Sequence, residues 1–517
     1  MQNVQILWAD DEIDLLLPHQ LFLKAKGYDV TPVNNGASAI ELVQKQLFDI
    51  VFLDENMPGL TGLETLVKIK QYKPHLPIVM ITKSEEENIM EDAIGAKITD
   101  YLIKPVNPTQ LLLCLKKHLD GKRILEEKTT SNYMQDFRAI GTSLSDKMDH
   151  AEWTELYKKL VYWDIEVHSN ADSSMSEVFY NQKTEANNQF FKFVERNYLS
   201  WLNGTTDDKP DMSHTVFKNR IAPLIDKGEP VVVFMIDNLR LDQWQVIAPY
   251  INELFNIQSD SSYYSILPTA TQYARNAFFS GLMPSEMEKK YPTWWVNDEA
   301  DDAKNAHEAD FLGEQLKRLG KNVKYNYTKV TNIDAGKRMV DNMKHYKDYA
   351  LSVVVYNFVD MLSHARTDME IIRELADNEV SYRSVTKSWF EHSPLFEAIK
   401  FLGDKNVKVV LTTDHGTVHV KDPSKIVGDR NVNTNLRYKQ GKALAYEAKD
   451  VFLIKNPADG FLPRQHPSSS FVFAKTNCFF AYPNNYAHYV NYYKNTFQHG
   501  GVSLEEVIIP FVVLGKK

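Results

Sequence analysis

Short runs of β-branched and apolar residues that end on a carboxylate or hydroxyl recur along this chain in two blocks. In the first block VQILWADD, DVTPVNN, FDIVFLDENMPG, PIVMITK and DYLIKPVN alternate with amphipathic stretches, of which EENIMEDAIGA is the fourth. In the second block VVVFMID, SYYSIL, NVKYNYT, ALSVVVYNF and VKVVLTTD do the same. Strands that alternate with helices in this way build doubly wound α/β sheets, and such sheets gather their strand-end side chains at one edge, where ligands bind. The pattern therefore predicts two α/β domains, each with a polar cluster above its sheet. At 517 residues the chain is too long for one core, which agrees with two or three domains.

Between the blocks, residues 120 to 220 carry few β-branched runs and many Lys, Glu, Asn and aromatic residues. Apolar residues recur there at three- and four-residue spacing, so a helical bundle is expected, with Trp153, Tyr157, Tyr162, Trp163, Phe190, Phe193 and Trp201 as core. No basic recognition-helix stripe is present, which argues against a duplex-DNA-binding output domain. The net charge of −9 argues against a broad nucleic-acid surface. Cys114 and Cys478 form no CxxC and no disulfide framework, and no apolar run approaches the length of a membrane span. With no basic, apolar leader at the N-terminus, a cytoplasmic protein is expected. The organisation read from the chain is 1–120, 121–227 and 228–517.

In the first block Asp10, Asp11, Asp54, Thr82 and Lys104 should meet above one sheet edge. Three carboxylates at close range repel one another unless a cation neutralises them, so Mg²⁺ is expected. With a cation and a lysine on the phosphoryl oxygens, a carboxylate can act as nucleophile and form an aspartyl phosphate. In the second block Asp237, Thr271, Asp360, His364, Asp414, His415 and His499 combine carboxylates, imidazoles and a hydroxyl without cysteine, a donor set that suits zinc or manganese. Arg437 and Lys439 are candidate phosphate contacts of low weight, and Trp294 and Trp295 are read as either base-stacking or core.

Those motifs resemble known families. Residues 1–120 resemble a response-regulator receiver domain. The resemblance implies that Asp54 accepts the phosphoryl group, that Asp11, Asp54 and the main-chain carbonyl of Asn56 hold Mg²⁺ with Asp10 assisting through water, that Thr82 and Lys104 take the phosphoryl oxygens, that Tyr101 is the switch aromatic, and that Lys104-Pro105 is cis. Residues 228–517, above all TTDHG and PTATQYARNAFFSGLMP, resemble the PglZ-type branch of the alkaline phosphatase superfamily. That likeness implies two Zn²⁺ ions (Mn²⁺ as the alternative), one held by Asp237, Thr271, Asp414 and His415 and the other by Asp360, His364 and His499. Thr271 would be the nucleophile of a phosphodiesterase.

The whole order is α/β: a (βα)₅ receiver, a helical-bundle connector and an alkaline-phosphatase-like α/β domain. It resembles response regulators associated with type IX secretion. The resemblance implies a sensor histidine kinase, a homodimer on phosphorylation, and contacts with a sigma factor and a secretion-motor component. Oligonucleotides or cyclic nucleotides are the expected substrates. The alternative is a signalling adaptor that keeps the hydrolase fold mainly as a binding surface.

Overall fold

The computed structural model describes residues 4–83, 94–95, 97–170, 173–296, 305–357, 359, 376–428 and 432–517. The expected helix EENIMEDAIGA falls mostly outside them, as do Asp360 and His364. The chain divides into two compact units, Met1–Thr130 and Ser131–Lys517.

In the first unit five parallel strands, Val4–Ala9, Tyr28–Val33, Ile50–Asp54, Ile78–Thr82 and Asp100–Ile103, stand in the order second, first, third, fourth, fifth. The alternation of side chains in a strand sends Ile6, Trp8, Ile50, Phe52, Val79 and Ile81 to one face. Leu7, Ala9, Val51, Leu53, Ile78 and Met80 go to the other. Helices Leu17–Ala25 and Pro108–Leu119 supply Leu23, Leu111 and Leu115 to the first core, while Gly36–Lys45 and Gly62–Tyr72 supply Ala39, Val43, Leu66 and Ile69 to the second. With apolar side chains on both faces, only the strand ends are left for polar function.

The second unit is built on a six-stranded sheet in the order Phe255–Tyr264, Ile508–Lys516, Lys408–Thr412, Val231–Ile236, Leu351–Tyr356, Tyr325–Val330. The last four are mutually parallel; Ile508–Lys516 runs antiparallel to both its neighbours, so the sheet is mixed. That closing strand and the long extension of Phe255–Tyr264 were not among the expected strands. Between His415 and His499 the chain adds three small sheets, among them Tyr438–Lys442 with Ser469–Ala474 and Val451–Ile454.

The expected helical segment is present as His150–Asn170, Ser173–Asn203 and the helical turns of Ser213–Ile225. Its aromatic residues Trp153, Tyr157, Trp163, Phe190, Phe193 and Trp201 are buried, whereas Tyr162 is 54% exposed. These helices share one continuous hydrophobic core with Val231–Ile236 and Ile508–Leu514. Asn187 also accepts a hydrogen bond from the Leu504 N–H (2.8 Å), and Tyr198 Oη accepts one from the Leu267 N–H (2.8 Å). The bundle is thus packed into the second unit as part of its core.

Candidate functional site

In the second unit the two central parallel strands end side by side, and each is followed by a tight turn. After Val231–Ile236, Asp237 is followed by Asn238 in the left-handed region (φ 66°), a conformation asparagine tolerates better than most residues. After Lys408–Thr412 comes Thr413-Asp414-His415-Gly416. The turns bind each other: the Asn238 N–H donates to Asp414 Oδ1 (3.3 Å), and the Leu239 N–H donates to Thr413 Oγ1 (3.0 Å). Gly416 is required by contact, since a Cβ there would lie 2.1 Å from the Glu505 carbonyl oxygen.

Thr271 opens the helix Thr271–Ser280, preceded by extended Ala270 and ended by Gly281 in the left-handed region (φ 60°). Its hydroxyl Oγ1 lies 3.0 Å from His415 Nε2. His415 Nε2 is 3.8 Å from Asp414 Oδ2 and 4.0 Å from Asp237 Oδ1. The His415 Nδ1 faces the Gly416 carbonyl at 3.2 Å, which can only accept, so Nδ1 carries the proton and Nε2 the lone pair. The His499 ring stacks on His415 with centroids 4.3 Å apart, and its Nδ1 faces the Thr269 carbonyl at 3.1 Å.

Ligand atoms of Asp237, Asp414 and His415 all lie within 4.8 Å of one another, and all three residues are buried. The buried Asp237 Oδ1 has no hydrogen-bond partner among the described residues. Burial, with the Asp414 and Glu308 carboxylates nearby, pushes the Asp237 carboxyl up to about 7 against the pull of Arg275. A buried carboxylate oxygen without a partner, beside a second carboxylate and a lone-pair imidazole nitrogen, fits a divalent cation such as zinc. The structure thus brings Asp237, Thr271, Asp414, His415 and His499 together; Asp360 and His364 lie outside the described residues.

The expectation for Arg437 and Lys439 is corrected. Arg437 is fully buried, its guanidinium paired with Glu506 (Nε to Oε1 3.1 Å, Nη2 to Oε2 2.6 Å) and also donating to the Cys478 and Lys475 carbonyls. Lys439 is 1% exposed and donates to the Asn433 carbonyl at 2.7 Å, over the Tyr482 ring. Arg437 and the strand residues Tyr438 to Gly441 are buried while Lys442 at the strand end is exposed, so the charges of Arg437 and Lys439 serve the fold. Glu506 in turn accepts from the Gly501 N–H (2.9 Å) and from Ser503, fixing the loop that carries His499. Trp295 is buried, and Trp294 stacks between Tyr291 and His307, which favours packing over base stacking.

Residues not singled out from the sequence complete the site. Arg275, one turn after Thr271, donates to Asp237 Oδ2 at 2.5 Å and also to Glu308. Glu308 accepts from Tyr327 and from Asn305 (3.0 Å), and Asn305 reaches the Thr271 carbonyl at 3.3 Å. Only Arg275 had a signal, its place in the PTATQYAR motif.

In the first unit Asp10, Asp11 and Asp54 offer ligand atoms within 4.8 Å of one another, Asp10 and Asp54 buried and Asp11 exposed. Lys104 Nζ bridges Asp10 (2.8 Å) and Asp54 (3.0 Å). Burial pushes the Asp54 carboxyl up more than Lys104 pulls it down, with Asp10 and Asp11 adding repulsion. Asp54 Oδ1 is buried without a hydrogen-bond partner among the described residues. Thr82 is buried at the end of the neighbouring strand, Asn56 follows two residues after Asp54, Tyr101 is half-buried in the edge strand, and the Lys104-Pro105 peptide is cis. The three carboxylates and the open acceptor fit Mg²⁺.

Three parts of the chain match known families. Residues 216–514 match the BREX system PglZ alkaline phosphatase-like domain, residues 123–202 the PorX response regulator linker domain, and residues 6–116 the response regulator receiver domain. Among curated proteins the chain is 34% identical over 142 residues to the transcriptional regulatory protein ZraR of Klebsiella oxytoca, covering 28% of this chain and 32% of that one. It is 35% identical over 120 residues to the alginate biosynthesis transcriptional regulatory protein AlgB of Pseudomonas syringae pv. tomato, covering 23% and 27%. The matched stretch spans about a third of these relatives' own length. Of the solved structures, Vibrio cholerae chemotaxis protein CheY4 is 29% identical over 23% of this chain and 99% of its own, with a TM-score of 0.22.

Proposed function

We propose, from the premise that this chain belongs to the PglZ alkaline phosphatase-like family and has the three-part architecture of a PorX-type response regulator, that it is a phosphorylation-controlled metallo-phosphodiesterase. The observation that carries the catalytic half is the meeting of the part-buried Thr271 Oγ1 with His415 Nε2 in the buried cluster of Asp237, Asp414 and His415. Asp237, Asp414 and His415 would hold one Zn²⁺ beside Thr271. His499, with Asp360 and His364, would hold a second, and Mn²⁺ is the alternative ion. Bound there, zinc would lower the pKa of the threonine hydroxyl and polarise the phosphoryl group.

The chain's own part is orientation and charge. Thr271 attacks phosphorus in line, the bond to the leaving oxygen breaks, and water then displaces the phosphoryl group from the threonine. Its hydroxyl stands on the first turn of a helix, where the partial positive charge of the helix end favours the negative charge that develops. Oligonucleotides or cyclic nucleotides are the proposed substrates.

In the receiver, Asp54 takes the phosphoryl group from a sensor histidine kinase. Asp11, Asp54 and the Asn56 carbonyl would hold Mg²⁺, and Lys104 and Thr82 would meet the phosphoryl oxygens, with Tyr101 turning to report the change. We place the protein in the cytoplasm. We further propose that phosphorylation favours a homodimer, and that a sigma factor and a type IX secretion component receive the output.

Metal analysis of the purified chain tests the catalytic half. Up to two zinc or manganese ions per chain are expected, and Asp237→Asn with Asp414→Asn should remove one. Unchanged metal content in that double variant would overturn the ligand assignment. Wild-type protein that holds no zinc or manganese would favour instead an adaptor that uses the fold only for binding.

A further inference from the structure

We infer that Glu308, acting through Arg275, fixes both the orientation and the charge of the Asp237 ligand position, so that this buried pair sets how tightly the site holds a divalent cation. The inference rests on the reading of Asp237, Asp414 and His415 as ligands.

Arg275 and Glu308 are both 1% exposed. The guanidinium lies between two carboxylates, with Nη1 donating to Asp237 Oδ2 and Nε donating to Glu308 Oε1. With Oδ2 engaged, Asp237 has one oxygen left to offer, and Oδ1 is the atom without a hydrogen-bond partner among the described residues, 4.0 Å from His415 Nε2. Arg275 therefore makes Asp237 a one-oxygen ligand aimed at the imidazole nitrogen, as outer partners of metal ligands commonly do.

The same guanidinium raises an electrostatic problem. Its Nη1 is also 3.8 Å from Asp414 Oδ2, and a positive charge this close to the ligand atoms opposes a cation strongly where water is excluded. Glu308 compensates it, leaving the negative charges of Asp237 and Asp414 for the ion. Glu308 is well placed to stay ionised, because Tyr327 and Asn305 also donate to it and Lys329 Nζ lies 3.4 Å from Oε2. The Lys329 side chain is 31% exposed, so its charge is screened more than that of Arg275. Asn305 joins the pair to the nucleophile, donating to Glu308 Oε1, Asn276 Oδ1 and the Thr271 carbonyl. These contacts make Arg275 and Glu308 positioning residues.

Zinc affinity of the full chain, measured by competition with a chromophoric chelator, tests this without recourse to activity. Glu308→Gln keeps the shape and removes the charge, and should weaken zinc binding by about 10- to 100-fold. In an Arg275→Gln background the same substitution should change affinity by no more than about twofold, because the charge it compensates is gone. A Glu308→Gln variant that binds zinc as tightly as wild type, or loses affinity equally in both backgrounds, overturns the inference. Arg275→Lys gives an independent reading should Glu308→Gln not fold: it keeps the charge but cannot bridge both carboxylates, so about tenfold weaker binding is expected and unchanged binding contradicts the proposal. Wild-type protein that binds no zinc or manganese would instead overturn the ligand reading beneath it.

Discussion

Two buried arginines illustrate how little a residue's type says about its role. Arg275 and Arg437 are each locked against a buried glutamate, yet Arg275 reaches a candidate ligand whereas Arg437 reaches main-chain carbonyls and Glu506. Removing one partner of a buried ion pair leaves an uncompensated charge, which costs about 3–5 kcal/mol. Arg437→Met should therefore lower the unfolding free energy of the second unit by about that amount in urea titrations. Folded protein should keep the KM of wild type, as expected of a group that never meets substrate. A raised KM with unchanged stability would return Arg437 to the substrate pocket.

At the scale of elements, helix His150–Asn170 is tied to the rest of its unit by Asp164. That carboxylate is 3% exposed and pairs with Lys183 (3.0 Å) and Arg383 (3.0 Å). Burial works against its charge, but Lys183 and Arg383 outweigh it and hold the Asp164 pKa well below the usual value. The unfolded chain therefore binds this proton more readily than the folded one as pH falls. The stabilisation is complete above the unfolded pKa of about 4 and is lost on acidification toward the folded value. Asp164→Asn should destabilise the unit by about 3–5 kcal/mol at pH 7 and flatten the loss of stability below pH 4 in denaturation series. An unchanged acid limb would show that other carboxylates dominate it.

The same scale explains what the sequence conveyed. Asp237, Asp414, Asp10 and Asp54 were legible because each ends or directly follows a run of β-branched and apolar residues, and a strand end fixes where its next side chain goes. Ile508–Lys516 was not, because IIPFVVLGK contains a proline and pairs antiparallel to distant segments, information that local pattern does not hold. Arg437 and Lys439 were read as phosphate contacts because nothing local marks Glu506, dozens of residues later, as the partner of Arg437, or the Tyr482 ring as the cover of Lys439. Glu308 and Asn305 lay in a polar stretch with no periodic signal, and only the tertiary fold brings them to Asp237.

At the scale of the whole molecule, one chain joins a receiver domain to a PglZ alkaline phosphatase-like domain. Under the proposed function, phosphorylation would add charge at Asp54, whose carboxylate lies 3.0 Å from Lys104 Nζ. Treating the chain with a BeF₃⁻ mimic should raise the mass seen by light scattering to that of a dimer, and the diesterase rate should rise with protein concentration. Mass and rate that stay constant, with Asp54 shown to be modified, would separate the receiver from the catalytic unit. The central claim is the hydrolase itself, and the most direct measurement is the rate of bis-p-nitrophenyl phosphate hydrolysis. Wild type and Thr271→Ala should be compared after chelation and again after zinc is restored. The account predicts that chelated wild type is inactive and recovers with zinc, while Thr271→Ala binds the same zinc, keeps its fold and stays slower by about a thousandfold or more. A Thr271→Ala variant within a few-fold of wild type, or activity indifferent to metal, would contradict it.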